Sequence, residues 1–144
     1  MFIAVNRELA VDQAMKDKIV AVLAKTPTVV AAWIFGSAQH GVIRPGSDLD
    51  IGVLFIRHPS WEEAGDVWVA LQAALQLDAV DMVTLNGASA ILRFEAISGQ
   101  PTYCRDVEAR AAFASLTARQ YEESMALIVR GFAARKAVLA RAKA

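Results

Sequence analysis

Between Phe35 and Ile51 the chain reads FGSAQHGVIRPGSDLDI, in which Gly36-Ser37 is followed, after a spacer of ten residues, by Asp48-Leu49-Asp50. The two acids open an apolar run, Leu49, Ile51, Val53, Leu54, Phe55 and Ile56, which predicts a strand. Strand side chains alternate faces, so both carboxylates point the same way, with their Cα atoms about 6.6 Å apart. Like charges that close at the rim of a buried strand repel each other and resist desolvation. One or two hard divalent cations, which prefer oxygen ligands, would supply the counter-charge.

The first half of the stretch has a different chemistry. Val29 to Phe35, VVAAWIF, predicts a buried strand that stops at Gly36-Ser37, where the missing Cβ lets a ligand approach the backbone. Backbone N–H groups of that turn and the Ser37 hydroxyl are suited to phosphate oxygens. Arg44-Pro45-Gly46-Ser47 is turn chemistry, so the two strands are expected to be neighbours. One strand end then offers phosphate donors and the next offers metal ligands, the arrangement a magnesium nucleoside triphosphate requires. A polar hairpin with Asx-type capping also accounts for Ser47 and Asp48. It does not account for Asp50 within one strand, or for Asp81 within a second (Ala79 to Thr84, AVDMVT), because acids are depleted in strands and rarely buried unpaired.

Gly36, Ser37, the ten-residue spacer, Asp48 and Asp50 resemble the signature of the DNA polymerase β-type nucleotidyltransferase superfamily, and Asp81 resembles its third carboxylate on a later strand. At 144 residues the chain resembles the minimal nucleotidyltransferases, the MNT family. The run VDMVTLNGAS, the following helix closed by Gly99, and the Pro101-Thr102-Tyr103 strand extend the likeness over about Val29 to Tyr103. The resemblance implies an α/β (α+β) nucleotidyltransferase fold, with a mixed central sheet of about four strands flanked by helices and a C-terminal helical extension. A single domain over residues 1–144 is expected, its core at about 28–105 and its C-terminal helices at about 106–144.

The resemblance also implies roles. Asp48 and Asp50 would bind two Mg²⁺ ions, Asp81 would complete one metal's shell and help deprotonate an acceptor hydroxyl, and Gly36 and Ser37 would hold the phosphates of ATP, the AMP donor. Family members often carry arginine just before the glycine that ends the Gly-Ser segment, and here the position is His40, a weaker and pH-dependent partner for phosphate. Arg44 is the candidate substitute. A solvated loop residue is the plain reading of His40 and of His58.

Larger superfamily members carry added domains for a tRNA end, a primer or an aminoglycoside, and this length leaves no room for one, so the acceptor is small or presented by another chain. Resemblance to MNT proteins implies a partner of the HEPN family, a small all-helical ribonuclease, acting with this chain as toxin and antitoxin. AMP would be transferred to a tyrosine of that toxin. Two alternatives are a small-molecule, aminoglycoside-like nucleotidyltransferase working as a homodimer, and a non-catalytic antitoxin acting by binding alone.

Composition sets outer limits. With 56% hydrophobic and 21% charged residues, the sequence suits one domain with a substantial core. Lysine plus arginine and aspartate plus glutamate each number 15, so no general basic excess marks a direct nucleic-acid binder. The single cysteine, Cys104, has no internal disulfide partner and reads as a buried thiol at a strand end. The stretch MFIAVNRELAVDQAMKDK lacks the basic-then-apolar order of a signal peptide, and the longest apolar run, Val29 to Phe35, is far short of a membrane span. A soluble, cytoplasmic protein with no membrane partner is expected.

In chain order, apolar spacing predicts a helix from about Arg7 to Lys25, ended by Thr26-Pro27, and one helical turn over Ala38 to Val42. Ser60-Trp61-Glu62-Glu63 reads as a capping box starting a helix to about Leu77, with Val67, Leu71, Ala74 and Leu75 facing the core and Trp61 and Trp68 as packing residues. Asn86-Gly87 turns into a helix from Ala88 to Ser98, and Gln100 to Cys104 reads as a strand. Asp106 to Ala144 is expected to be helical in two pieces, with Thr117-x-x-Gln120 a second capping box and a break near Ser115. In its last part Tyr121, Met125, Ile128, Phe132, Val138 and Leu139 form an apolar stripe, while from Ser124 onward there are five basic residues (Arg130, Arg135, Lys136, Arg141, Lys143) and no acids. Positive charge suits a helix C-terminus and a solvated face; the same charge also suits docking of an acidic partner.

Overall fold

The structure, a computed structural model, describes residues 7–142. Its elements in order are β1 (Leu9–Ala10), α1 (Gln13–Ala24), β2 (Val29–Phe35), a 3₁₀ turn (Gly36–His40), β3 (Val42–Ile43), β4 (Leu49–Phe55), α2 (Trp61–Leu75), β5 (Val80–Thr84), a 3₁₀ turn (Leu85–Gly87), α3 (Ala90–Ile97), β6 (Gln100–Cys104) and α4 (Val107–Ala142). Residues 1–6 of the segment read for a signal peptide, and Lys143 of the basic set, lie outside the described residues.

A four-stranded mixed sheet, ordered β5-β4-β2-β6, forms the centre. Strand β2 runs antiparallel to β4 and to β6, and β4 runs parallel to β5. The β2/β4 pairing follows from the turn ahead of β4: the Ser47 N–H donates to the Arg44 carbonyl (3.0 Å), with Pro45 and a left-handed Gly46 (φ +79°) at the central positions of a type II turn. The β4/β5 pairing is parallel because α2 carries the chain back across the sheet. Strands β1 and β3 form a separate two-stranded ribbon.

Alternation along β4 divides the core. Leu49, Ile51, Val53 and Phe55 are buried with Ile19 and Leu23 of α1 and with Val67 and Leu71 of α2. On the other face Leu54 joins Trp33, Phe35, Leu85 and Ala96, with Phe113 of α4 packed against them. Helix α3 lies so close to the sheet there that a Cβ on Gly52 would stand 3.2 Å from the Ala96 methyl. Arg93 locks this layer. It donates from Nε to the Leu85 carbonyl (2.7 Å) and from its terminal nitrogens to the Asn86 carbonyl and to Gln120 Oε1 (3.5 Å), and it lies over the Phe113 ring.

Several expectations change. Helix α1 begins at Gln13, not near Arg7, because Asp12 caps it by accepting from the Met15 N–H (2.9 Å), and Leu9 and Ala10 pair instead with Ile43 and Val42. The helical turn after β2 starts at Gly36 rather than Ala38. Strand β4 ends at Phe55, leaving Ile56 exposed. Helix α2 stops at Leu75 with Gln76 in the left-handed region. Only half of its capping box forms: Ser60 Oγ accepts from the Glu63 N–H (3.0 Å), but the Glu63 carboxylate accepts from the Thr28 hydroxyl. Trp61 is not a packing residue, being 96% exposed, and Trp68 is also exposed, although it donates from Nε1 to the Val80 carbonyl (2.8 Å). Cys104 is half-buried rather than enclosed.

The C-terminal helix is one piece of 36 residues, with no break near Ser115. Thr117 does not cap it. The alanine-rich run around it favours continuous helix, and Thr117 turns into the core, where its hydroxyl has no hydrogen-bond partner among the described residues. A buried hydroxyl without a partner costs stability and a methyl in its place does not, so Thr117→Val is expected to raise stability by about 1 kcal/mol in urea denaturation. A loss of similar size would mean that the hydroxyl has a partner.

Candidate active site

Three acids meet at one edge of the sheet. Asp50 is the second residue of β4 and stands opposite Phe35, the last residue of β2; across the parallel pairing it is in register with Asp81 on β5. Neighbours in register share a face, so the Asp50 and Asp81 side chains lie side by side. That face is also the one on which Gly52 and Leu54 meet α3. Asp48 is exposed just ahead of the strand, and Asp50 is half-buried.

Gly36 makes room for this crowding. It has φ +67°, and a Cβ there would run into Asp50 Oδ2 and stand 3.2 Å from Asp50 Cγ. The Asp50 carboxylate thus rests against the bare backbone at the start of the 3₁₀ turn, with Ser37 exposed beside it. No other residue type accommodates both the left-handed backbone and the carboxylate.

The electrostatics follow. Burial, then the negative charges of Asp81 and Asp48, and then a side-chain hydrogen bond with Asp81 together raise the Asp50 carboxyl from the usual 3.8 to about 6. No cation is among the groups acting on it. Among the described residues, no set of three or more His, Cys, Asp and Glu is arranged to hold a metal ion unaided. Magnesium does not need such a cage, since it keeps several waters and uses one or two carboxylates together with substrate phosphates. Asp50 and Asp81, which share a face, could supply that pair, with Asp48 just ahead of the strand; the hard oxygen donors and the negative charge gathered at Asp50 fit the ion.

Gly36 also lines a cavity of about 380 Å³, together with Gln39, Ile91, Phe94, Glu95, Ser98 and Tyr121. Its far wall is a stack of the Phe94 and Tyr121 rings, with centroids 3.9 Å apart and planes 8° from parallel. His40 and Arg44 are exposed and do not line it. His58 borders a separate hollow, with Trp61, Thr84 and Gly87, at the opposite end of β4 and β5 from the acids. Sequence reading singled out Gly36, Ser37, Asp48, Asp50 and Asp81, all at this edge, and missed Phe94, Glu95 and Arg93 of α3. The lone arginine in the apolar helix AILRFEAI was the available signal for Arg93. Phe94 and Glu95 gave none, because their place in the cavity depends on α4.

A carboxyl whose pKa is raised in the folded state binds protons more tightly there, so its favourable contribution is present below 3.8 and is lost as pH rises through about 6. Without divalent metal, wild type is therefore expected to lose stability relative to Asp50→Asn between pH 4 and pH 6.5, with the variant the more stable at pH 7.5. Parallel pH profiles of the two melting temperatures would contradict the crowding of Asp50.

No curated protein matches the sequence. The fold is similar to solved structures. One is a chain of the complex between tri-AMPylated Shewanella oneidensis HEPN toxin and MNT antitoxin (TM-score 0.64, 23% identity, 92% of this chain and 98% of that one). A second belongs to the toxin–antitoxin MntA-HepT (TM-score 0.64, 24% identity, 92% and 100%). A third belongs to a toxin–antitoxin with AMP-PNP (TM-score 0.67, 24% identity, 90% and 98%). At these identities the likeness establishes the fold. The family described as Polymerase beta, Nucleotidyltransferase matches residues 17–108, more than half of the chain. With the acids and the Gly-Ser turn falling inside that span, the chain belongs to the polymerase β nucleotidyltransferase family.

Proposed function

We propose that this protein transfers AMP from ATP to a tyrosine hydroxyl of a HEPN-family toxin and acts as its antitoxin. The observation that carries the reading is the Asp50 carboxylate resting on the bare backbone of Gly36, in register with Asp81 and within the field of Asp48, beside an open cavity in a polymerase β nucleotidyltransferase chain. It is supported by the similar structures, one of which holds a tri-AMPylated HEPN toxin with its MNT antitoxin and another AMP-PNP.

In this reading the Gly36–Ser37 turn holds the β- and γ-phosphates through backbone N–H groups and the Ser37 hydroxyl. Asp48 and Asp50 would hold the cations that accompany the triphosphate, and Asp81 would lie next to the incoming hydroxyl and receive its proton. The hydroxyl oxygen bonds to the α-phosphorus, the bond to the β-phosphate oxygen breaks, and pyrophosphate leaves. When bound, two Mg²⁺ ions would lower the hydroxyl pKa and offset the phosphate charge. The carboxylates must be ionised to bind metal, so Asp50 would hold an ion in its deprotonated form. The raised value of Asp50 also means that metal affinity falls below about pH 6.

The cavity by Gly36, walled by Phe94, Tyr121 and Glu95, is also large enough for a small acceptor, which keeps the aminoglycoside-like reading as the alternative.

Asp48→Asn and Asp50→Asn are each expected to remove transfer, read as AMP added to the intact mass of the co-expressed HEPN protein. Ser37→Ala removes one hydrogen bond of about 0.5–1.5 kcal/mol and should weaken ATP binding only a few-fold. Gly36→Ala keeps every acid yet is expected to abolish transfer, because its Cβ displaces the Asp50 carboxylate. Transfer at the wild-type rate by Asp50→Asn or by Gly36→Ala would contradict the assignment.

A further inference from the structure

Helix α4 leaves the body of the domain about halfway along its length. Up to Tyr121 one face is occupied: Phe113 meets the Trp33 ring (6.1 Å), Thr117 is buried, and Tyr121 stacks on Phe94. The same face continues as Met125, Ile128, Phe132, Arg135 and Leu139, spaced by alternating steps of three and four residues, as in a helix–helix seam. Nothing among the described residues covers it. Ile128, Phe132 and Leu139 are 40%, 69% and 56% exposed, and every residue from Ala126 to Ala142 is classed as exposed.

Two details define what fits this seam. Gly131 leaves a hollow of about 210 Å³ between Ile128, Phe132 and Arg135, open to a bulky apolar side chain. Arg135 takes one of the seam positions itself, and its neighbourhood is wholly basic: between Ser124 and Ala142 the helix has Arg130, Arg135, Lys136 and Arg141 and no acid. A second copy of this helix laid parallel would set Arg135 against its own equivalent in the seam, and one laid antiparallel about Phe132 would set it against Val129, with no carboxylate between Ser124 and Ala142 to pair with it; both are unfavourable. A membrane surface calls for a broad unbroken apolar face, and Arg135 interrupts this one. A helix with apolar residues flanked by carboxylates satisfies both the seam and its charge.

We propose that the Met125–Leu139 seam of α4 docks an acidic amphipathic α-helix of the acceptor protein, with an apolar side chain in the Gly131 hollow and a carboxylate on Arg135. The proposal rests on the protein-acceptor reading above. Tyr121 belongs both to this face and to the wall of the cavity beside Gly36. At about 1.5 Å per residue the seam runs about 27 Å from Tyr121 to Leu139, so a protein docked along it lies at the cavity mouth.

The test uses the full chain co-expressed with the product of the neighbouring gene, tested as the HEPN-family acceptor, as wild type, Phe132→Asp, Arg135→Glu and Arg130→Glu. Arg130 points away from the seam and controls for charge. The complex is followed by size exclusion with light scattering, transfer by intact mass of the partner, and nucleotide binding by thermal shift with Mg²⁺ and AMP-PNP. Phe132→Asp and Arg135→Glu are expected to weaken the complex at least tenfold and reduce AMP addition, with Arg130→Glu like wild type and all variants binding nucleotide equally. Complex formation and AMP addition unchanged by both seam variants would overturn the docking assignment and leave the transfer reading intact. A complex lost with the seam variants, but no AMP added by wild type, would uphold docking and overturn transfer. Wild type that neither binds nor modifies the partner would overturn both. A wild-type dimer dissociated by Phe132→Asp would assign the seam to a second copy, and phosphatidylglycerol vesicle binding lost in that variant would assign it to a membrane; either result overturns the proposal.

Discussion

The contact between the Asp50 carboxylate and the backbone of Gly36 is the constraint on which the site depends. It requires a residue without a side chain in a left-handed conformation at the end of β2, and a carboxylate on the facing residue of β4. Register with β5 then adds Asp81 to the same face. A folded chain that aimed only at stability would not gather these groups, because burial and repulsion lift the Asp50 pKa to about 6. The arrangement becomes favourable when positive charge is brought to it, as the divalent cations of the proposed reaction would do.

The rest of the fold serves this edge. One face of the sheet is filled by α1 and α2 over Leu49, Ile51, Val53 and Phe55, which anchors β4 so that its first residues can carry charge. The other face receives α3 and the first half of α4, tied together by Arg93, and it leaves a cavity in front of Gly36. The parallel connection through α2 is what brings Asp81 beside Asp50, since a hairpin would have reversed β5 and carried its acid away from this edge.

The central strands and the acids were legible in the sequence because their signals are local: unbroken apolar runs, a Pro-Gly turn, and carboxylates where strands exclude them. Val29–Phe35 was read with its observed bounds. What was misread depended on partners distant in the chain. Asp12 resembles any polar residue on a helix until Leu9 and Ala10 are seen paired with β3. Glu63 fits a capping box, but Thr28 takes its carboxylate. Thr117 resembles a cap, yet it is enclosed because α4 lies across α3. Trp61 is exposed although an indole argues for burial, because it is the first residue of α2, ahead of the turns that carry the buried Val67 and Leu71. The cavity wall of Phe94, Glu95 and Tyr121 is likewise assembled from α3 and α4 and carries no local pattern.

The most direct test of the central claim is the binding of Mn²⁺, a paramagnetic stand-in for Mg²⁺, in the presence of AMP-PNP, followed by loss of the free-ion resonance in electron paramagnetic titrations. Wild type is expected to take up the ion only with the nucleotide present and near neutral pH, and Asp50→Asn and Asp81→Asn are expected to take up at least tenfold less. Uptake by both variants equal to that of wild type, or none by wild type, would contradict the view that these carboxylates are crowded together to hold a metal-bound triphosphate.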